Sequence, residues 1–174
     1  MTGRRPGKAR PGAAAVVGGR RWSVSRRIAA PAPVVWRLLT DIRFWPLWGP
    51  SITGAELAGH RPGGEEHVLR AGSRGRVRTV VGLSLPFIVT SFEEGSFDDG
   101  SFDGRFPEVG RAWSWAVAGV AATGHRVGAA PGGCLVTFSV PWWAPPYLLV
   151  CAVALRRIDR LAAQQARDAL DCEP

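Results

Sequence analysis

The 174-residue chain is 46% apolar, enough to bury one core in a single domain, and it carries a net charge of +8. That charge is not spread over a face: residues 1–27 hold eight basic side chains and no acid, and from residue 28 onward fourteen basic side chains meet fourteen acidic ones. A neutral body excludes a specific nucleic-acid interface, and 21 arginines against one lysine reflect GC-rich codon usage rather than phosphate recognition.

In chain order, residues 1–21 read as a disordered basic arm of Gly, Pro and Arg. Its apolar run, Ala13 to Val17, is too short for the core of a secretory signal, so a cytoplasmic location is expected. The arm reads as a solvated tail, with weak contact to acidic lipid or nucleic acid as the alternative. Residues 22–170 are expected to form one domain, with 171–174 a short tail.

RWSVSRRIAA (21–30) alternates and predicts a first strand. Pro31 and Pro33 open a helix, VVWRLLTD, because a proline lacks only an N–H that the first turn leaves unpaired. Asp41 is placed to cap a second short helix before Pro46. The period then becomes two. SITGAELAG (51–59), EHVLRAG with RGRVRTVVG (66–82) and LSLPFIVTSFEE (83–94) predict strands, with Arg74, Arg76 and Arg78 on one face. The Gly- and Asp-rich stretch 95–110 predicts a long loop with no EF-hand spacing. RAWSWAVAG (111–119) puts Trp113, Trp115 and Val117 on one face, and a strand through ATGHRVGAA follows. GGCLVTFSVPWW aligns Cys134, Val136, Phe138 and Val140. A long helix over 146–170 closes the chain, with Cys151, Leu155, Ile158, Ala162 and Gln165 as its apolar stripe.

The order gives an α+β layout: about six to seven antiparallel strands in one curved sheet, two short helices after the first strand, and a long C-terminal helix over one face. Large aromatic residues on the concave face cannot all reach the helix, which predicts a cavity. An apolar cavity suits a small hydrophobic molecule.

IAAPAPVVWRLLTDIRFWPLWGPSITGAEL resembles the opening of the helix-grip superfamily that contains START lipid-transfer domains, birch-pollen-type allergens and polyketide cyclases. WSWAVAGVAATGHRV is similar to the middle strands of its bacterial polyketide cyclase/dehydratase branch, and CLVTFSVPWW before a long helix resembles their ending. The likeness covers roughly residues 22–165. It implies a ligand held between sheet and C-terminal helix, and a superfamily that hosts carriers, sensors and enzymes alike. The loop at 95–110 is longer than the usual connection, and no set of polar residues matches a cyclase's catalytic group.

Trp45, Trp48, Phe87, Trp113, Trp115, Phe138, Trp142, Tyr147, Cys151 and Leu155 are therefore the candidate wall of the ligand cavity. His125 is the candidate acid or base, should the protein be a cyclase or dehydratase. Its facing depends on the turn near Gly119. Three turn residues would bring it beside Trp115; two would bring it beside Ser114 on the other face. No cofactor and no metal site are expected: His60, His67 and His125 lack ligand spacing, and Cys134, Cys151 and Cys172 are too scattered for zinc or a disulfide framework.

The apolar stretch VPWWAPPYLLVCAVALRR (140–157) offers about ten helical residues before Arg156, roughly 15 Å against a hydrocarbon core of about 30 Å, so it cannot span a membrane. Its first helical turns are apolar all round, which leaves open a homodimer contact, a transient touch on a membrane surface, or a non-catalytic protein partner.

Overall fold

The computed structural model describes residues 20–59, 67–97 and 110–171. The first nineteen residues of the arm, His60, most of the 95–110 loop, Cys172 and the tail lie outside them. The elements are β1 (Arg21–Ile28), α1 (Ala32–Thr40), a 3₁₀ turn (Ile42–Phe44), α2 (Trp45–Trp48), β2 (Ile52–Leu57), β3 (Arg74–Thr79), β4 (Ser84–Glu93), β5 (Arg111–Val117), β6 (Val120–Ala130), β7 (Gly133–Pro141) and α3 (Tyr147–Asp171). Seven antiparallel strands form one sheet in the order β1-β7-β6-β5-β4-β3-β2. The long helix α3 packs on β1 and β7 and touches α1 and α2. This is the α+β helix-grip fold.

The expected alternations settle the inward face. Cys134, Val136, Phe138 and Val140 of β7 are buried, as are Trp113 and Trp115 of β5. From α3, Cys151, Leu155, Ile158 and Ala162 are buried with Ala154, while Gln165 is only half-buried. Arg74, Arg76 and Arg78 lie exposed on β3. Over 67–72 the expected strand does not form. Val68 makes only a bridge to Asp41, and Leu69 N–H donates to Thr40 O at 2.8 Å. That segment serves the end of α1 instead of extending the sheet.

The reason lies in the four C-terminal carbonyls of α1, which a helix leaves without intrahelical partners. Arg37 O accepts from Asp41 N–H at 2.9 Å and Thr40 O from Leu69 N–H. Leu38 O accepts the Trp48 indole at 2.8 Å, and Leu39 O the Trp45 indole at 2.9 Å. The Trp-Pro-x-Trp turn thus hangs both indoles on the helix before it and points their rings into the core. Asp41 starts the turn as expected, its carboxylate accepting from Arg43 N–H and pairing with the Arg43 guanidinium at 2.6 Å. Burial pushes the Asp41 carboxyl up, but hydrogen bonds from Arg43 and its charge outweigh that and hold it below the usual range.

Candidate functional site

The space between sheet and helix is filled from the inside outward by aromatic rings. Trp45 stacks on Trp113 with centroids 5.8 Å apart and planes 2° apart, and meets Trp115 edge-on at 5.1 Å. Phe87 packs against both Trp45 and Trp115. His125 stacks on Trp113 at 4.1 Å and meets Phe138 edge-on at 4.5 Å, with Trp48 against both. A space of about 30 Å³ stays open at the centre, room for about one water, bounded by Trp48, Trp115, Thr123, His125, Phe138 and Cys151. The central cavity expected from sequence is therefore mostly closed, because the two α2 indoles reach the sheet that the helix cannot.

The open space is displaced to the mouth of the grip, at the α3 N-terminus. There a pocket of about 470 Å³ lies among Ser51 and Ile52 of the β2 entrance, Val77, Thr79, Val80 and Val81, Val117 and Val120 to Thr123 of the β5–β6 hairpin, and Val140, Pro141, Trp143, Ala144 and Tyr147. None of its lining side chains is charged. Two other depressions, of about 520 and 770 Å³, carry arginines and a glutamate on their walls and suit water.

The floor of the mouth pocket is Trp115 and Thr123. The Trp115 indole donates to Thr123 Oγ1 at 2.9 Å, and Thr123 Oγ1 lies 3.2 Å from His125 Nε2. If the threonine hydroxyl donates to Nε2, the imidazole carries its proton on Nδ1; otherwise Nε2–H donates. His125 Nδ1 and the Trp113 indole N–H are buried without a hydrogen-bond partner. Burial, assisted by the positive charge of Arg21, lowers the His125 pKa to about 3, so the ring is neutral at physiological pH. Tyr147 closes the other side, its hydroxyl 2.8 Å from Ser51 Oγ. Burial pushes the Cys134 and Cys151 thiols up to about 12 and about 11, which makes both inert.

His125 faces inward for a reason that neither turn length anticipates. The turn has two residues, Ala118 and Gly119, both at positive φ. Such a turn pairs Val117 with Val120 and Ala116 with Ala121. Further along, Ser114 pairs with Gly124 and Trp113 with His125, so β6 holds one extra residue opposite Trp115. This β-bulge at Ala122–Thr123 turns His125 from the outer face to the inner one. Arg21 holds the bulge from outside, donating to Ala122 O at 2.8 Å and to Ser139 Oγ at 3.0 Å.

Of the candidate wall residues, Trp115 and Tyr147 line the mouth pocket. Trp48, His125, Phe138 and Cys151 surround the small central space, while Trp45, Trp113, Phe87 and Leu155 are packed in the core. Trp142 is exposed at the rim, its backbone O accepting the Trp22 indole at 3.2 Å. Sequence reasoning missed Thr123 and the valines of the β3–β4 and β5–β6 turns. The available signal was apolar residues at turn tips, in TVVGL and AGVAA, where polar ones are usual.

Among the described residues no group of three or more His, Cys, Asp or Glu is placed to hold a metal, and no helix is long and apolar enough to cross a membrane.

Comparison with solved structures gives the same architecture at low identity. MLL2253 from Mesorhizobium loti is 14% identical with a TM-score of 0.58, covering 83% of this chain and 98% of its own. NE0264 from Nitrosomonas europaea is 15% identical with a TM-score of 0.53, covering 84% and 96%. Ara h 8.0201 is 12% identical with a TM-score of 0.54, covering 84% and 99%. No curated protein sequence matches the chain. The family model for polyketide cyclase/dehydrase and lipid transport matches residues 20–167. Strand order, grip helix and family match agree, and the chain belongs to the polyketide cyclase/dehydrase and lipid transport family.

Proposed function

We propose that this protein binds a small hydrophobic molecule, and that the ligand lies in the mouth pocket rather than deep under the helix. The observation that carries this reading is an opening of about 470 Å³ with no charged side chain on its wall. A volume in that range matches ordinary small-molecule sites, and an apolar wall gains by shedding water onto an apolar ligand. Specificity would come from the floor. Thr123 Oγ1 already takes the Trp115 N–H, and Ser51 and Tyr147 share a hydrogen bond at the side. Such a wall favours a lipid or polyketide-like molecule with one hydroxyl or carbonyl end, and it penalises a charged head group buried without a partner.

A cyclase or dehydratase reading would rest on His125, with Thr123 between it and the ligand. A neutral imidazole with a pKa near 3 is a weak base, and no carboxylate is among its ring and hydrogen-bond contacts to raise it. Binding without turnover is the better supported reading. Native mass spectrometry of the purified protein tests it: a co-purified apolar molecule supports binding. A polyketide substrate converted by the wild type, and not by His125→Gln, would replace it with catalysis.

A further inference from the structure

The rim of the mouth pocket is built from residues that a water-facing rim would not carry. Val80 and Val81 at the β3–β4 turn, Val120 at the β5–β6 turn, Trp142 and Trp143 after β7, and Leu149 in the first turns of α3 are 52% to 75% exposed. The connections that hold them, residues 80–83, 117–123 and 140–150, contain no charged side chain. Single exposed apolar residues are ordinary; three uncharged loops gathered at one end are not.

A second observation comes from where the chain enters the fold. Arg21 pairs with Pro141, and the Trp22 indole donates to Trp142 O, so residue 20 stands beside the two rim tryptophans. The nineteen residues before it carry Arg4, Arg5, Lys8 and Arg10 and no acid, while the body from residue 28 is balanced. Half of the eight-residue basic excess is thus tethered at the apolar end, where Arg20 and Arg21 also stand.

We propose that this end docks on the surface of a bilayer containing anionic lipid, with the rim inserted at the headgroup boundary and the basic arm lying along the lipid charges. Tryptophan suits that boundary, having an apolar body and a polar N–H. Basic residues near an anionic surface each strengthen binding by about fivefold, and stable attachment generally takes an apolar and an electrostatic signal together. A second copy of this chain fits the surface less well, since a symmetric contact there would bring two basic arms together. The arm itself offers only the small run Ala13 to Val17 as a cover. The docking does not depend on the pocket holding a ligand, and the two are measured separately.

The test is co-sedimentation of the full chain with vesicles of phosphatidylcholine alone and of phosphatidylcholine mixed with phosphatidylserine, at low and high salt. Three full-length variants accompany it: Trp142→Ser with Leu149→Ser; Val81→Ser as a second rim change; and Arg4→Gln, Arg5→Gln, Lys8→Gln and Arg10→Gln together. The expected result is partition onto the mixed vesicles about tenfold or more stronger than onto phosphatidylcholine, lowered by salt, and weakened severalfold by the rim and the arm variants alike. Melting temperatures near wild type confirm that the variants fold. Absence of partition by the wild type overturns the proposal. So does partition lost with the arm but indifferent to both rim variants, which would mean a non-specific basic tail. A wild-type dimer that the rim variants split, with no vesicle binding, would assign the surface to a second copy instead.

Discussion

His125 is held between Trp113 and Phe138 with its charge suppressed, and that has a pH signature. Unfolded, the imidazole takes a proton near pH 6.5; folded, it waits until about 3. Between those values the unfolded state binds more protons, so stability is full above about 6.5 and declines on acidification, by up to about 1.4 kcal/mol per pH unit. Asp41 has a lowered folded pKa, so its own loss begins only as the unfolded carboxylate titrates, below about pH 5. Urea unfolding from pH 7 down to 5 therefore isolates the histidine, and His125→Gln should flatten the slope there. An unchanged slope would mean the ring is solvated. Neighbouring tryptophans should separate by role. Trp115→Phe removes the donor to Thr123 at the pocket floor and should weaken binding of an apolar dye severalfold. Trp113→Ala, in the packed core, should cost about 3–5 kcal/mol of stability while leaving dye affinity of the folded fraction nearly unchanged. Equal effects on affinity would erase the distinction between floor and core.

At the scale of elements, the β5–β6 hairpin governs the site. Ala118 occupies left-handed backbone, φ 50°, in a two-residue turn that favours Asn-Gly. Ala118→Asn should raise stability by about 0.5–1 kcal/mol, read from the urea midpoint. Destabilisation would place the turn in another conformation. Arg21→Gln should cost about 1 kcal/mol, since its half-solvated guanidinium bonds the bulge carbonyl of Ala122. The hairpin also shows what sequence could and could not convey. Alternation in β5 and β7, the stripe of α3 and the Asp41 cap were legible, because each rests on a local period or a local unpaired N–H; the second short helix, expected to end before Pro46, instead runs through it as Trp45–Trp48. The facing of His125 was not. One extra residue at Ala122–Thr123 reverses every side chain after it, and the partner that holds it, Arg21, lies some hundred residues away. The strand expected at 66–72 failed for a similar reason: its backbone is recruited by the end of α1. The pocket's place was hidden because two indoles from α2 fill the interior, a matter of ring packing that no period encodes.

The whole molecule combines an aromatic interior, an uncharged pocket at one end, and a basic arm attached at that same end. A sealed interior and an open mouth suit a protein that takes up and releases an apolar molecule without large rearrangement of its sheet. The most direct measurement is amide chemical-shift mapping by NMR as the neutral dye N-phenylnaphthylamine is added. Shifts should concentrate at Val80, Val81, Val120, Thr123, Trp143 and Tyr147, with Trp45, Trp113 and Val136 nearly still. Shifts centred on the groove of Arg74, Arg76 and Glu56, or on the packed core, or no binding at all, would contradict it.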